Sequence, residues 1–308
     1  MKLHRPLSIV RLRGLTLVEL MVSLALGLLV VLAATGLLLS TRTGYLTQDD
    51  QAQLLDGARY ALEVIGRAVR QAGYENWDTE GAPILRTASM SPNVLGLDAH
   101  RLKAGTAALV GASNAADEVV NGSDVLAVRF FGSGAAPDGD GTVLDCAGLP
   151  VPAPTSQDAA DDERGWSIFY VAQSTAGEPA LYCKYRGWSA QPIVLGVESF
   201  QVLYGVDQDD DGSPDRYMRA GDLADKSFWD NVVVVRVGLL MRGGHADTRA
   251  DAAHQVYDLF GPDYSDAHAA LDPGVHISEN DLPAAQRKRL RAVFGATFQL
   301  RNRAGGGG

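Results

Sequence analysis

The chain has 308 residues, with 27 basic and 37 acidic side chains and a formal net charge of -10. So acidic a surface argues against nucleic acid as a direct partner, because a phosphate backbone is met by basic residues. The charge is unevenly placed: Lys2, Arg5, Arg11 and Arg13 all lie in the first 14 residues, which hold no acid.

After this basic start comes an apolar run over 15–39, long enough to cross a bilayer as a helix and charged only at Glu19. The positive-inside bias keeps 1–14 in the cytoplasm and sends the remainder outward. A lone acid in lipid is costly and calls for a cationic partner. Gly14 followed by Leu15-Thr16-Leu17-Val18-Glu19, with the acid fifth from Leu15, resembles the type IV prepilin signal. That resemblance implies a membrane-embedded prepilin peptidase that cuts after Gly14 and methylates the new amino terminus at Leu15, keeping the apolar segment. It also implies that Glu19 meets the free amine of a neighbouring subunit's Leu15, so that two charges costly in lipid offset one another in one axial register. Leucine at position 15, where phenylalanine is commoner, bears on cleavage efficiency. Two plainer readings compete: an export signal cut between Ala33 and Ala34, and a simple single-pass anchor. An acid inside the apolar run fits neither.

Without its leader the chain would keep 23 basic residues against 37 acidic ones, a charge of -14. Its bulk would then lie where disulfides persist, so Cys146 and Cys183, an even pair, are expected to form one bridge. Two buried free thiols are the alternative; a metal pair lacks further ligands at the right spacing.

The helix is expected to continue to Gly73. Leu55, Ala58, Leu62, Ile65, Val69 and Ala72 recur at steps of three and four, one face of a helix, and Gly73 with Tyr74 reads as its stop. Gly44, Gly57 and Gly66 are expected to loosen it locally, and a coiled-coil seam is the alternative use of the stripe. Beyond Gly73, strands are predicted over 124–131, 166–172, 180–185, 193–206, 232–241 and 292–300. The segment 132–165 reads as a long loop that the cysteine bridge would tie down. The fold class is therefore α+β, a long N-terminal helix packed on an antiparallel sheet, divided as leader 1–14, helix 15–73 and head 74–308.

Further patches narrow the resemblance. GARYALEVIGRAVRQAGY on the helix, ALYCKY, YGVDQDDDGSPDRY, VVVVRVGLLMR and the closing RLRAVFGATFQLRNR are similar to the W-type minor pilin (PilW) family. That implies the type IV pilin fold and an initiating or tip-located pilus subunit. It also implies partners: other minor pilins, the major pilin and possible contact with a tip adhesin. The place implied is the inner membrane, single-pass with a periplasmic head, and then the extracellular pilus.

Asp207, Asp209, Asp211 and Asp215 follow D-x-D-x-D-G-x-x-D, the first nine positions of an EF-hand-like calcium loop. The twelfth is Met218 rather than an acid, so Asp222 is the candidate for the missing ligand; a solvated acidic turn is the competing reading. No G-x-S-x-G, H-E-x-x-H or phosphate-loop motif is present, and no enzymatic activity or required cofactor is expected. His245, Asp247, Asp251 and His254 read as a surface loop, and Trp77, Trp166, Trp188 and Trp229 as packing residues. Two alternatives keep the same signal: a minor pseudopilin of type II secretion, and a membrane-anchored calcium-dependent adhesin that does not polymerise.

Overall fold

In a computed structural model the described residues are 14, 16–75, 83–186, 188–223, 226–246 and 255–302. The leader 1–13, Leu15, Trp77, Asp247, Asp251, His254 and the 305–308 glycine tail lie outside them. Two compact units form, 1–49 and 50–308.

Helix α1 (Leu17–Gln71) supplies residues to both units. In the first unit it carries an apolar stretch of mean hydropathy 2.6 that is not buried by any of the described residues. Bare apolar surface of that length requires lipid or neighbouring helices around it. The helix ends as expected: Gly73 takes a left-handed φ of +66°, and its N–H leaves the helix to donate to the Arg129 carbonyl at 2.9 Å.

In the second unit, α1 packs through Leu54, Ala58, Ala61, Ile65, Ala68 and Val69, with Ala72 just past its end. The buried face is rotated from the expected stripe: Leu54 is enclosed, whereas Leu55 is 55% exposed and Leu62 only partly buried. The small residues Gly57, Ala58 and Ala61 share a helical face with Leu54 and let the head come close there. A Cβ on Gly57 would stand 3.0 Å from the Met241 side chain, and one on Gly66 2.5 Å from the Phe298 ring. These glycines, expected to loosen the helix, are instead where the head presses closest against it.

The head holds two main antiparallel sheets. Strands β1 (Val94–Leu97), β2 (Val125–Phe130), β3 (Gly165–Gln173), β4 (Pro179–Tyr185) and β5 (Ser189–Leu195) form a meander in chain order. A short helix, α2 (Ala160–Glu163), interrupts the long connection before β3. The second sheet contains β6 (Val197–Val206), β7 (Arg216–Met218), β8 (Val232–Ala246) and β11 (Arg289–Gln299), in the order β11-β8-β6-β7. Helices α3 (Lys226–Asp230) and α4 (Pro262–His268) and the ribbon of β9 (Val256–Asp258) with β10 (His276–Ser278) complete it.

The single strand expected over 193–206 is two strands in different sheets. Gly196, at φ +78°, breaks the run; its N–H donates to Pro179 O and its carbonyl accepts from Arg242 N–H, both at 2.8 Å. All ten residues of β6 are buried. One face of its sheet meets α1 through Val202 and Leu239, and the other meets Tyr257, Leu259 and Ile277 through Leu240. Covered on both faces, β6 buries its polar residues Glu198, Ser199 and Gln201 along with its apolar ones.

Candidate assembly site and acidic turn

Glu19 sits in the first turn of α1. Its main-chain N–H donates to Thr16 Oγ1 (3.3 Å), while its Oε2 accepts from the Thr16 N–H (3.4 Å) and hydroxyl (3.3 Å). This is the reciprocal arrangement of a capping box, Thr-x-x-Glu. The acid also lies at the positive end of the helix dipole. The carboxylate therefore has a local role in addition to any partner in a neighbouring subunit. Gly14 is exposed with open space where a side chain would stand. The Thr-x-x-Glu spacing of this cap is visible in the sequence.

Asp50, the first residue of the second unit, is buried among groups from the end of β8. It accepts from His245 Nδ1 (2.8 Å), Gly244 N–H (3.1 Å) and His245 N–H (3.2 Å). His245, expected in a surface loop, is thus a tether between strand end and helix. The bridge Cys146–Cys183 forms, with Cα atoms 5.9 Å apart. It fastens the long connection to β4, helped by the Cys146 N–H donating to Ser167 Oγ at 3.0 Å.

The acidic motif is the turn between β6 and β7. One oxygen from each of Asp207, Asp209 and Asp215 falls within 4.8 Å of the others, a donor set that suits a hard divalent cation. Backbone amides already hold the loop. Asp207 accepts from Asp210 and Gly212 N–H (2.7 and 2.8 Å), and Asp215 from Gln208 N–H (2.7 Å). Left-handed residues Asp210 (φ +63°) and Gly212 (φ +95°) make the chain curl around Asp207. Asp211 is not brought into the trio; it accepts from Ser213 N–H at 2.7 Å. Asp222 is also elsewhere, held by Arg219 at 2.9 Å, because that guanidinium supplies a fixed fork for its carboxylate.

Two charged clusters far apart in sequence escaped the sequence reading. Arg291 is enclosed between Glu198 (Nε–Oε2 2.5 Å) and Glu279 (Nη1–Oε1 3.0 Å), with Arg242 3.5 Å from Glu198. Burial alone would lower the Arg291 pKa, but the two carboxylates outweigh it and raise it. The other cluster is acidic. Asp124 is buried, and burial, with Asp98 and Asp272 adding repulsion, pushes its pKa well above the usual carboxylate range. Burial likewise raises Asp272 to about 6, against the hydrogen bond from Tyr264.

Residues 11–35 match the family described as Prokaryotic N-terminal methylation motif, and residues 168–302, from β3 to just past β11, match Type IV Pilus-assembly protein W. A solved structure of the type IV-like pilin TTHA1219 from Thermus thermophilus is similar at 14% identity and a TM-score of 0.33, over 82% of this chain and 99% of that one. No curated protein matches the sequence. The chain thus carries the N-terminal methylation motif of type IV prepilins on an apolar N-terminal helix, with an α+β head. The part of the head that matches, residues 168–302, is similar to the PilW type of pilus-assembly proteins.

Proposed function

We propose that this minor pilin is made as an inner-membrane prepilin, cut after Gly14 by a prepilin peptidase, methylated at Leu15, and assembled through α1 to prime or cap the pilus. Its head stands in the periplasm before assembly and at the pilus tip afterwards. There it contacts other minor pilins, the major pilin and a tip adhesin. The work is packing rather than catalysis. One observation carries the reading: Glu19 is the sole charge in 15–39, and within the chain its carboxylate bonds only to the cap residue Thr16 among the described residues. Two neutral-to-acid contacts do not offset a charge in lipid, so the ammonium of a neighbouring Leu15 is the natural partner.

The capping box supplies a discriminating test. Glu19→Gln keeps a residue that caps as glutamate does but loses the charge, whereas Glu19→Ala loses both. Both substitutions are expected to abolish this subunit's incorporation into pili while leaving cleavage after Gly14 intact, as read by immunoblot of sheared pili and of membranes. Normal incorporation of the Glu19→Gln protein would show that capping suffices and would refute the ion-pair account.

We further propose that Asp207, Asp209 and Asp215 bind calcium as a stabilising, non-catalytic ion. The oxygen trio supports this, and Met218 at the twelfth position limits affinity to the extracellular range.

A further inference from the structure

We propose that the edge of β11, which no further strand pairs among the described residues, docks an extended, acid-flanked segment of a different pilus subunit; this rests on the minor-pilin reading above. The strand ends its sheet in the order β11-β8-β6-β7. Its pairing with β8 runs without a shift from Arg291↔Arg242 to Gln299↔Val234, and just beyond it the Leu300 N–H donates to Val233 O at 2.9 Å. In an antiparallel pair, residues alternate between those that exchange main-chain bonds with the partner and those that turn theirs away. Leu300, Phe298, Ala296, Phe294 and Ala292 therefore face β8. Val293, Gly295, Thr297 and Gln299 present their N–H and C=O groups to the outside. The side chains agree with this alternation: Phe294 and Phe298 pack on the core beside α1, while Gly295, Thr297 and Gln299 are exposed.

Exposed edges are ordinarily blunted by charge, proline or brevity. This one is 11 residues long, and 292–299 reads AVFGATFQ, with no charge and no proline. A row of outward donors and acceptors on a strand held rigid by two core phenylalanines is suited to strand addition.

Charge identifies the occupant. From Leu282 to the end of this acidic chain there is no acid, and Arg287, Lys288, Arg289, Arg291, Arg301 and Arg303 are basic. Arg291 is committed to Glu198 and Glu279, and Arg287 donates to the carbonyls of Leu282 and Asn280, which leave its charge in place. Lys288 and Arg301 are exposed at opposite ends of the edge. A second copy of this strand, laid antiparallel, would set Lys288 beside Arg301; laid parallel, it would set like residue beside like. Like charges facing each other are unfavourable in either register. A strand with acids at its ends is favoured at both.

The test uses the full chain in cells. Thr297→Pro deletes one outward N–H and leaves the bonds to β8 untouched, Thr297→Val keeps that N–H, and Lys288→Glu with Arg301→Glu reverses the flanking charge. The Thr297→Pro and charge-reversed proteins are expected to reach normal membrane levels yet lower the piliated fraction about tenfold or more, with Thr297→Val unaffected, since each 1.4 kcal/mol of lost association is tenfold. A photo-crosslinking residue at Gln299 is expected to join an acidic segment of another subunit. The proposal is overturned if both edge variants retain parental piliation while Glu19→Ala loses it, or if Gln299 crosslinks to a second copy of this chain. Should Thr297→Pro fail to accumulate, the charge-reversed protein decides by the same two outcomes. Piliation retained by Glu19→Ala would instead strike the minor-pilin reading itself.

Discussion

Asp272 is 2% exposed and receives the Tyr264 hydroxyl at 2.9 Å. Burial and the neighbouring Asp98 hold its carboxyl up near 6, against the pull of Tyr264, Arg219 and His268. A carboxyl raised in the folded state binds its proton more tightly there than in the unfolded chain. Its contribution to stability is therefore full below about pH 4 and is lost as pH rises through about 6. From the ordinary value of 3.8 to about 6, the loss is on the order of 3 kcal/mol. Asp124, raised in the same direction by burial, adds to it. Asp140, lowered to about 2 by Thr142 and Ser133, acts in the opposite sense but only in strong acid. Urea unfolding of the detergent-solubilised protein should thus show greater stability at pH 5 than at pH 8. Asp272→Asn, which still accepts from Tyr264, should raise stability at pH 8 and narrow that difference. An unchanged pH profile in the variant would show that Asp272 is ionised in the fold.

Elements show which parts of the architecture are local in origin. Helix α1 was legible because hydropathy and length need no tertiary partner, and most of the predicted strands fell within a few residues of their bounds, whereas the short strands β1, β7, β9 and β10 had no predicted counterpart. The break at Gly196 was not, since IVLGVESFQVLYGV reads as strand-forming on both sides of the glycine, and its bonds to Pro179 and Arg242 set the left-handed turn. Leu54 and Leu55 illustrate a similar limit: both fit a three-and-four spacing, and the close approach of Gly57 to Met241 decides between them. Pairs such as Glu198 and Arg291, which meet across 93 positions, have no sequence signal at all. At the candidate site the Thr16–Glu19 box was readable, whereas the Asp50–His245 tether, 195 residues apart, was not.

Two elements carry direct tests. The Cys146–Cys183 bridge closes a separation of 37 residues, for which chain entropy gives about 4 kcal/mol of stabilisation. Cys146→Ala with Cys183→Ala should lower stability by about that amount and make 132–165 readily cleaved by protease; resistance equal to the parent would show that packing alone holds the connection. In the β6–β7 turn, 10 mM calcium should raise stability by about 1.4 kcal/mol or more if the dissociation constant is about 1 mM or tighter. Asp209→Asn should remove the effect, and an identical calcium response in that variant would place the ion elsewhere.

At the scale of the whole molecule, the chain joins an apolar rod to an acidic head. The rod cannot stay in water, and it tolerates one carboxylate only if a cation is supplied. The head, with its buried charge clusters and its long β11 edge, has a fixed surface on which other subunits can pack. On the reading proposed above, the rod serves filament assembly only once the leader is gone, because the amine proposed to meet Glu19 exists only after hydrolysis behind Gly14. The most direct measurement is the N-terminal mass of the mature protein from cells with and without their prepilin peptidase. The expected result is a start at methylated Leu15 that depends on the enzyme; a start at Ala34, or an intact leader in assembled pili, would contradict it.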